Sequence, residues 1–312
     1  MIRQIVHFSA LLALLTASQL PTLAGQPAET PKALGASSGI RFAVIGDYGL
    51  ASQPESDVAG LVASWNPDFV ITTGDNNYPS GASSTIDQNI GQYYHGFIYP
   101  YTGSYGPGAT SNRFFPSMGN HDWYTAGATP YLSYFTLPGN ERYYDFVRGA
   151  VHLFAIDSDG NEPDGNSSTS LQAAWLARQL ANSCATWNIV YLHHAPFSSG
   201  PHGSNVTLQW PYASWGATAV LAGHDHTYER IIHDGIPYFV NGLGGSSIYS
   251  FGTPVAGSVV RYNSDYGAML VEADSTSITF QFISRTGTVV DTLTIDAATP
   301  AVCLHYLPLI QK

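Results

Sequence analysis

Seven polar residues of this chain stand where a short apolar run gives out: Asp47, Asp75, Tyr78, Asn120, His193, His224 and His226. All are oxygen or imidazole donors and none is a thiolate, a set that suits Fe, Zn, Mn or Mg rather than a soft metal. Seven donors exceed what one ion needs. Two ions sharing a bridging carboxylate is the economical arrangement, and a pair about 3.5–4 Å apart is a usual device for hydrolysing phosphate esters. Taken singly the motifs are ordinary: Gly-Asp after a strand is common turn chemistry, Asn-His-Asp can be an Asx turn, and His-x-His can be two exposed imidazoles. Their joint, ordered occurrence at strand ends carries the reading.

The elements that must position these donors can be read in turn. Ile40 to Ile45 alternates and then runs apolar, a strand that ends at Gly46-Asp47-Tyr48-Gly49. A helix from Pro54, with Val58, Leu61 and Val62 on one face, leads to a second strand that breaks at Gly74-Asp75-Asn76-Asn77-Tyr78. This is a β-α-β unit with an Asp at the same end of both strands, where open α/β sheets put their ligands. Ser83 or Ser84 is expected to cap a helix through about Phe97, and Phe114 to Met118 is a third strand delivering Gly119-Asn120-His121-Asp122. Residues 123–142 read as irregular, with aromatics that pack or line loops. Tyr143 to Val147 and Val151 to Ile156 read as a hairpin turned at Arg148-Gly149. Ser168, Thr169 or Ser170 caps an amphipathic helix with Leu171, Trp175, Leu176 and Leu180 apolar at helical spacing. Trp187 to Leu192 ends at His193-His194, and Ala217 to Ala222 ends at Gly223-His224-Asp225-His226. The remainder alternates repeatedly (236–240, 268–272, 277–283 and 289–295) and reads as a second, largely antiparallel sheet.

Composition bounds the function classes. The chain has 312 residues, 44% of them apolar and only 11% charged, with 31 Gly and 20 Tyr, which suits a loop-rich exported protein with a sizeable core. A formal charge of −11 argues against a nucleic-acid backbone or an anionic membrane as partner. An anionic substrate is still compatible, because bound cations would set the local potential. Arg3 and His7 precede an apolar segment from Phe8 to Leu15, and Thr22-Leu23-Ala24 offers a small-residue cleavage site. Residues 1–24 thus read as a signal peptide, giving a secreted protein, extracellular or periplasmic. Residues 25–39 read as a flexible leader, and 298–312 as a tail or last strand, too short and interrupted to anchor in a membrane. Cys184 and Cys303 can pair or stay free.

The ordered set Asp47-x-Gly49, Gly74-Asp75-x-x-Tyr78, Gly119-Asn120-His121, Val190-x-x-His193 and Gly223-His224-x-His226 resembles the calcineurin-like metallophosphoesterases. More narrowly it is similar to the purple acid phosphatases, over roughly residues 40–295. The resemblance implies an α/β fold, a four-layer αββα sandwich of two mixed β-sheets flanked by helices, as one catalytic domain over residues 40–297. It implies Asp47, Tyr78 and His226 on a ferric ion, Asn120, His193 and His224 on a divalent ion (Fe2+, Zn2+ or Mn2+), and Asp75 bridging the two. His193 ends the apolar run and satisfies the Val190-x-x-His spacing, so His194 is expected to serve as support or core packing. His121 matches a family residue that contacts the substrate phosphate. His202, nine residues after His193 in Gly200-Pro-His-Gly-Ser204, matches a histidine of the small mammalian-type members that binds phosphate and protonates the leaving group. A plain surface histidine is the competing reading there. Asp122 is expected to orient His121, Asp225 to face away, and Gly242 to Gly245 to form a tight loop beside the site. Tyr228-Glu229-Arg230 resembles the plant-type members, so the chain mixes features of two groups.

The expected activity is that of a secreted acid phosphatase, hydrolysing small phosphomonoesters by in-line attack of a metal-bound hydroxide, with Asn120, His121 and His202 on the substrate. A phosphodiesterase or nucleotidase on the same core is the second reading, and a metal- or phosphate-binding protein without turnover the third. A non-catalytic descendant is expected to lose a ligand or a substrate histidine, and none is missing here.

Overall fold

A computed structural model of the chain describes residues 39–298. The expected signal peptide, most of the leader, the tail and Cys303 lie outside the described residues. Within them, thirteen strands form two mixed sheets. The first sheet has the order β13-β12-β11-β1-β2-β3, from Val289–Asp296, Ser277–Ser284, Gly267–Ala273, Ile40–Ile45, Phe69–Thr72 and Phe114–Pro116. The second has the order β10-β8-β9-β7-β6-β5-β4, from Ser258–Tyr262, Tyr228–His233, Ile236–Asn241, Ala219–Gly223, Trp187–His194, Val151–Ala155 and Tyr144–Arg148.

Side-chain parity explains why both sheets are buried. In β5, β6 and β7 the residues Leu153, Ile189, Tyr191, Ala219 and Leu221 join the core shared with the first sheet. Their sequence neighbours Phe154, Val190, Leu192, Val220 and Ala222 pack instead with Ala173, Leu176 and Leu180 of helix Leu171–Asn182. Strands covered on both faces must be apolar at every position, which is why they read as runs rather than alternations. On the far side, helix Gln53–Ser64 buries Val58, Ala59 and Val62. The layers are therefore helix, sheet, sheet, helix, the expected αββα sandwich. Both helices start on serine caps, the hydroxyls of Ser52 and Ser170 accepting from the backbone amides of Glu55 and Ala173. Leu171 departs from the expected apolar face: as the first helical residue it is 70% exposed, and Gln172 and Ala173 are buried in its stead.

The late strands do not make a sheet of their own. β11 pairs antiparallel with β1 (Ile40↔Ala273 to Val44↔Met269), so β11 to β13 extend the first sheet, while β9 runs parallel beside β7 in the second. Alternation specifies a strand and its buried face but not its neighbour, and the free edge of β1 is what β11 fills. β8 and β10 were absent from the expected strands. A short helix, Asn120–Trp123, leads into the segment read as irregular, which itself contains another at Thr129–Tyr134. The helix expected from Ser83 or Ser84 has neither as its cap. It begins at Ile86, without a side-chain cap bond, and is wound as a π-turn over Asp87–Gly91. That extra residue brings Asn89 inward, where its amide donates to Asn77 Oδ1 and the Tyr78 carbonyl, both at 2.8 Å.

Candidate metal centre

Parallel pairing of β1 with β2 (Ile45↔Thr72) and of β2 with β3 (Thr72↔Pro116) brings three strand ends to one edge, from which Asp47, Asp75 and Asn120 emerge. In the facing sheet β6 and β7 end side by side, with a register shift between Tyr191 and His194. His193 continues the inward parity of Ile189 and Tyr191, whereas His194 follows the outward parity of Val190 and Leu192. The donors therefore meet between the sheets. Three of them, Asp47, Asp75 and His224, have left-handed backbones (φ 55°, 51° and 72°). For an L residue this costs on the order of 1–2 kcal/mol, the kind of strain that gathers at functional sites. Gly74 (φ 89°) answers a separate need: a Cβ there would lie 2.7 Å from Nδ1 of His193.

The seven predicted donors fall into two sets that share one oxygen. In the first, Tyr78 donates to Asp75 Oδ2 (3.0 Å), its hydroxyl lies 3.1 Å from His226 Nε2 and 3.5 Å from Asp47 Oδ1, and the last two are 3.4 Å apart. In the second, His193 Nε2 lies 3.0 Å from Asn120 Oδ1, 3.1 Å from His224 Nδ1 and 3.4 Å from the same Asp75 Oδ2. Ring tautomers follow from the outer partners. Nδ1 of His193 lies 2.8 Å from the Thr73 carbonyl, which can only accept, so in the neutral ring it is Nε2 that turns a lone pair to the centre. His226 Nδ1 is 2.9 Å from Ser247 Oγ, a hydroxyl that can donate or accept and so allows Nε2 to face the centre with its lone pair. Asp47 also accepts the His224 backbone amide (3.0 Å), tying the two sheets together at the site.

Electrostatics describe a concentration of acceptors. Burial alone would raise the Asp75 carboxyl, but the His193 and His121 imidazoles hold it well below the usual range. Burial would depress His193, and the Asp75 and Asp47 carboxylates overcome this, raising it to about 10. Burial, with the Asp47 and Asp75 carboxylates beside it, pushes the Tyr78 phenol far up, so only a strongly polarising cation would ionise it. His194 is pushed down to about 3 by burial and by His193. It stays neutral, its Nδ1 2.9 Å from Ser158 Oγ and its ring 4.4 Å from that of His224, and a ring nitrogen of it lies within 4.8 Å of those of His193 and His224.

Aromatic rings surround the donors. His121 lies 4.3 Å from the Tyr78 ring, and its Nδ1 is 2.6 Å from the Pro79 carbonyl, leaving Nε2 facing Asp75 Oδ2 at 4.0 Å. Tyr249 stacks on His226 (4.1 Å, 7°), and His202, exposed at the rim, lies 4.1 Å from His224 and 5.6 Å from Tyr249. Both substrate histidines expected from the sequence thus reach the donors. Tyr124 was not foreseen. It is 61% exposed, packs 4.7 Å from His121 and accepts the Asn120 amide at 2.9 Å. Asp122 departs from its expected role: its Oδ2 accepts from Gly119 N, Asn76 N and Asn76 Nδ2, fixing the backbone behind the site rather than the His121 ring. Gly242 and Gly244 do pack tightly against Asp47 and Gly46, as the tight loop requires.

A family model, calcineurin-like phosphoesterase, matches residues 40–228, a span that includes all seven donors. The chain belongs to the calcineurin-like phosphoesterase family. Among sequences, it is 29% identical over 238 residues to purple acid phosphatase 17 of Arabidopsis thaliana, covering 66% of this chain and 68% of that one. It is 24% identical over 271 residues to human tartrate-resistant acid phosphatase type 5, covering 75% and 78%. Among solved structures, a purple acid phosphatase from yellow lupin seeds superposes with a TM-score of 0.70 at 21% identity, over 83% of this chain and 54% of that one. The chain spans about half the length of the lupin protein. GAP50, the anchor in the inner membrane complex of Plasmodium, superposes with a TM-score of 0.65 at 18% identity, over 84% and 90%. These last two likenesses concern the phosphoesterase fold. That one neighbour is described as an anchor is reason to argue activity from the site and not from the fold.

Proposed function

We propose that this phosphoesterase is an acid phosphatase that hydrolyses phosphomonoesters at a binuclear metal centre, ferric ion with a divalent partner. One observation carries the reading: Asp75 Oδ2 lies within 3.4 Å of both Tyr78 Oη and His193 Nε2, as a bridging carboxylate must. The donor chemistry fits the ions. Asp47, Tyr78 and His226 offer a hard set including a phenol that a ferric ion would ionise; Asn120, His193 and His224 offer a neutral set suited to Fe2+, Zn2+ or Mn2+. When bound, the pair would supply charge neutralisation at the phosphoryl oxygens and an acidified water as nucleophile.

The rest of the reaction falls to side chains. Water's oxygen bonds to phosphorus, the ester P–O bond breaks, and the departing oxygen takes up a proton. Because the Nδ1 proton of His121 is given to the Pro79 carbonyl, His121 can donate to a phosphoryl oxygen only when Nε2 is also protonated. That requirement favours an acidic optimum. His202 is assigned the proton for the leaving oxygen, supported by its ring contact with His224. His121 and His202 with Asn120 would hold the phosphate between them. The N-terminal apolar run supports export to an extracellular or periplasmic space, and N-terminal sequencing of exported protein should then begin near Gly25.

Purified protein loaded with iron and zinc is expected to be pink or purple, to hydrolyse p-nitrophenyl phosphate best at acidic pH, and to lose its colour in Tyr78→Phe. Colourless protein holding two zinc ions would remove the ferric part of the proposal. Absence of hydrolysis at every pH would remove the phosphatase, and faster hydrolysis of bis-p-nitrophenyl phosphate than of the monoester would move the assignment to a diesterase.

A further inference from the structure

The loop that carries His202 rests on two buried carboxylates that the chemistry above leaves unused. Asp225 accepts from Ser198 Oγ (2.5 Å) and from the backbone amide of His202 itself (2.9 Å). Glu229 accepts from Ser199 N (2.7 Å) and Ser199 Oγ (2.6 Å), with Ser258 Oγ as a further donor (2.5 Å). Asp225 is 1% exposed and Glu229 fully buried, and neither forms an ion pair among the described residues; the neighbouring Arg230 turns to Asp291. A buried carboxylate without a counter-cation is costly unless several donors point at it. Here nearly all of those donors come from one stretch, Ser198 to His202. Gly200 lets the stretch close: a Cβ there would run into the Asp225 carboxylate. The outer side is tied down as well, Gly252 N donating to the Ser199 carbonyl and Val255 N to Ser199 Oγ.

We propose that Asp225 and Glu229 are positioning residues, a pair of carboxylates that hold the Ser198–His202 loop so that the exposed imidazole of His202 stays against His224 at the rim of the centre. This rests on the phosphatase reading, in which His202 serves the leaving oxygen. The spacing explains the placement. Asp225 lies between the two donors His224 and His226 in the turn after β7, and Glu229 is three residues beyond, in β8, so the segment that supplies two donors also fixes the loop. A role confined to stability would affect all substrates alike, whereas a positioning role follows His202.

The test uses metal-loaded full-length protein and two monoesters. The leaving oxygen of p-nitrophenyl phosphate departs readily as an anion, and that of phenyl phosphate gains from protonation. Asp225→Asn is expected to lower kcat/KM for phenyl phosphate by about 10- to 100-fold, at or below the lower limit of what a general acid contributes because the acid is misplaced rather than removed, and for p-nitrophenyl phosphate by much less. His202→Ala should show the same asymmetry, and the double variant should be no worse than His202→Ala alone. Amide exchange across Ser198 to His202 should quicken in Asp225→Asn while the content of two ions is kept. Ser198→Ala, which removes one donor away from the metal set, should reproduce the asymmetry in weaker form. Equal losses on both esters, multiplicative losses in the double variant, or a symmetric effect of Ser198→Ala would overturn the proposal with the phosphatase reading intact. Wild-type protein hydrolysing neither ester would overturn both.

Discussion

Asn120 turns its carbonyl oxygen toward His193 because its amide nitrogen is occupied by the hydroxyl of Tyr124. The two atoms of an amide head are nearly isosteric, so the acceptor on the solvent side decides which one faces the centre. Tyr124→Phe keeps the ring against His121 and removes that acceptor. Its affinity for the second ion, measured by competition with a zinc chelator, is expected to fall about 10-fold, at the lower end of what outer partners contribute. Because Tyr124 is mostly exposed, its unfolding free energy should shift by no more than about 0.5 kcal/mol. An unchanged ion affinity would mean that the amide is held by something else. Asp225 teaches the complementary lesson. Sequence marked it correctly as facing away from the donors, yet its use lay in residues 23 to 27 positions earlier, which no local pattern connects to it.

At the scale of elements, the turn between β1 and helix Gln53–Ser64 depends on Glu55. Its Oε2 accepts from Leu50 N (3.0 Å) and Ala51 N (2.6 Å), while Oε1 is buried without a partner. Burial raises its carboxyl well above the ordinary value, and the backbone amides of Leu50, Ala51 and Ser52 only partly offset this. The folded state therefore holds this proton more tightly than the unfolded chain does. The resulting stability is fully present below the unfolded value, about 4.3, and is lost as pH rises through the higher folded one. Thermal unfolding followed against pH should show wild-type protein losing stability across that window and Glu55→Gln with a flatter profile; parallel profiles would contradict it. Such effects were not legible beforehand, and the reason is general to this chain. Strand ends are written locally: Ser170, one of three cap candidates, and each Gly-Asp or Gly-His break were found where expected, whereas the Ser52 cap was not anticipated. What lies between distant segments was not. The π-turn at Asp87–Gly91 answers a demand from Asn77 and Tyr78, and an alternating strand such as β11 is silent about whether it borders β1 or another late strand. The candidate donors were legible because each terminates an apolar run. Tyr124 was not, because one tyrosine among 20 carries no signal until Asn120 is beside it.

Considered whole, the molecule closes its first sheet last. β1 is among the earliest described segments, yet its open edge is covered by β11, and Arg41 meets Glu272 across 231 positions of chain. The donors are similarly far apart, the His224 amide reaching Asp47 across 177 positions and Tyr78 facing His226 across 148. Pairings this remote must overcome a large loss of chain freedom before any contact rewards it, so assembly should be slow and cooperative. For the ions this fixes an order of events. Neither full donor set is assembled until both sheets have met, so the completed centre is not a seed for folding, as the metal site is in small zinc domains. It arrives afterwards and works as a lock. Zinc added during refolding from denaturant is expected to leave the refolding rate unchanged and to slow unfolding in proportion to its concentration, since a ligand that binds only the finished state acts on the escape rate alone. Refolding accelerated by zinc would mean that part of the centre forms early. With an unchanged refolding rate, the cell has to finish this protein before equipping it, and metal supply governs how long the protein lasts rather than how fast it is made.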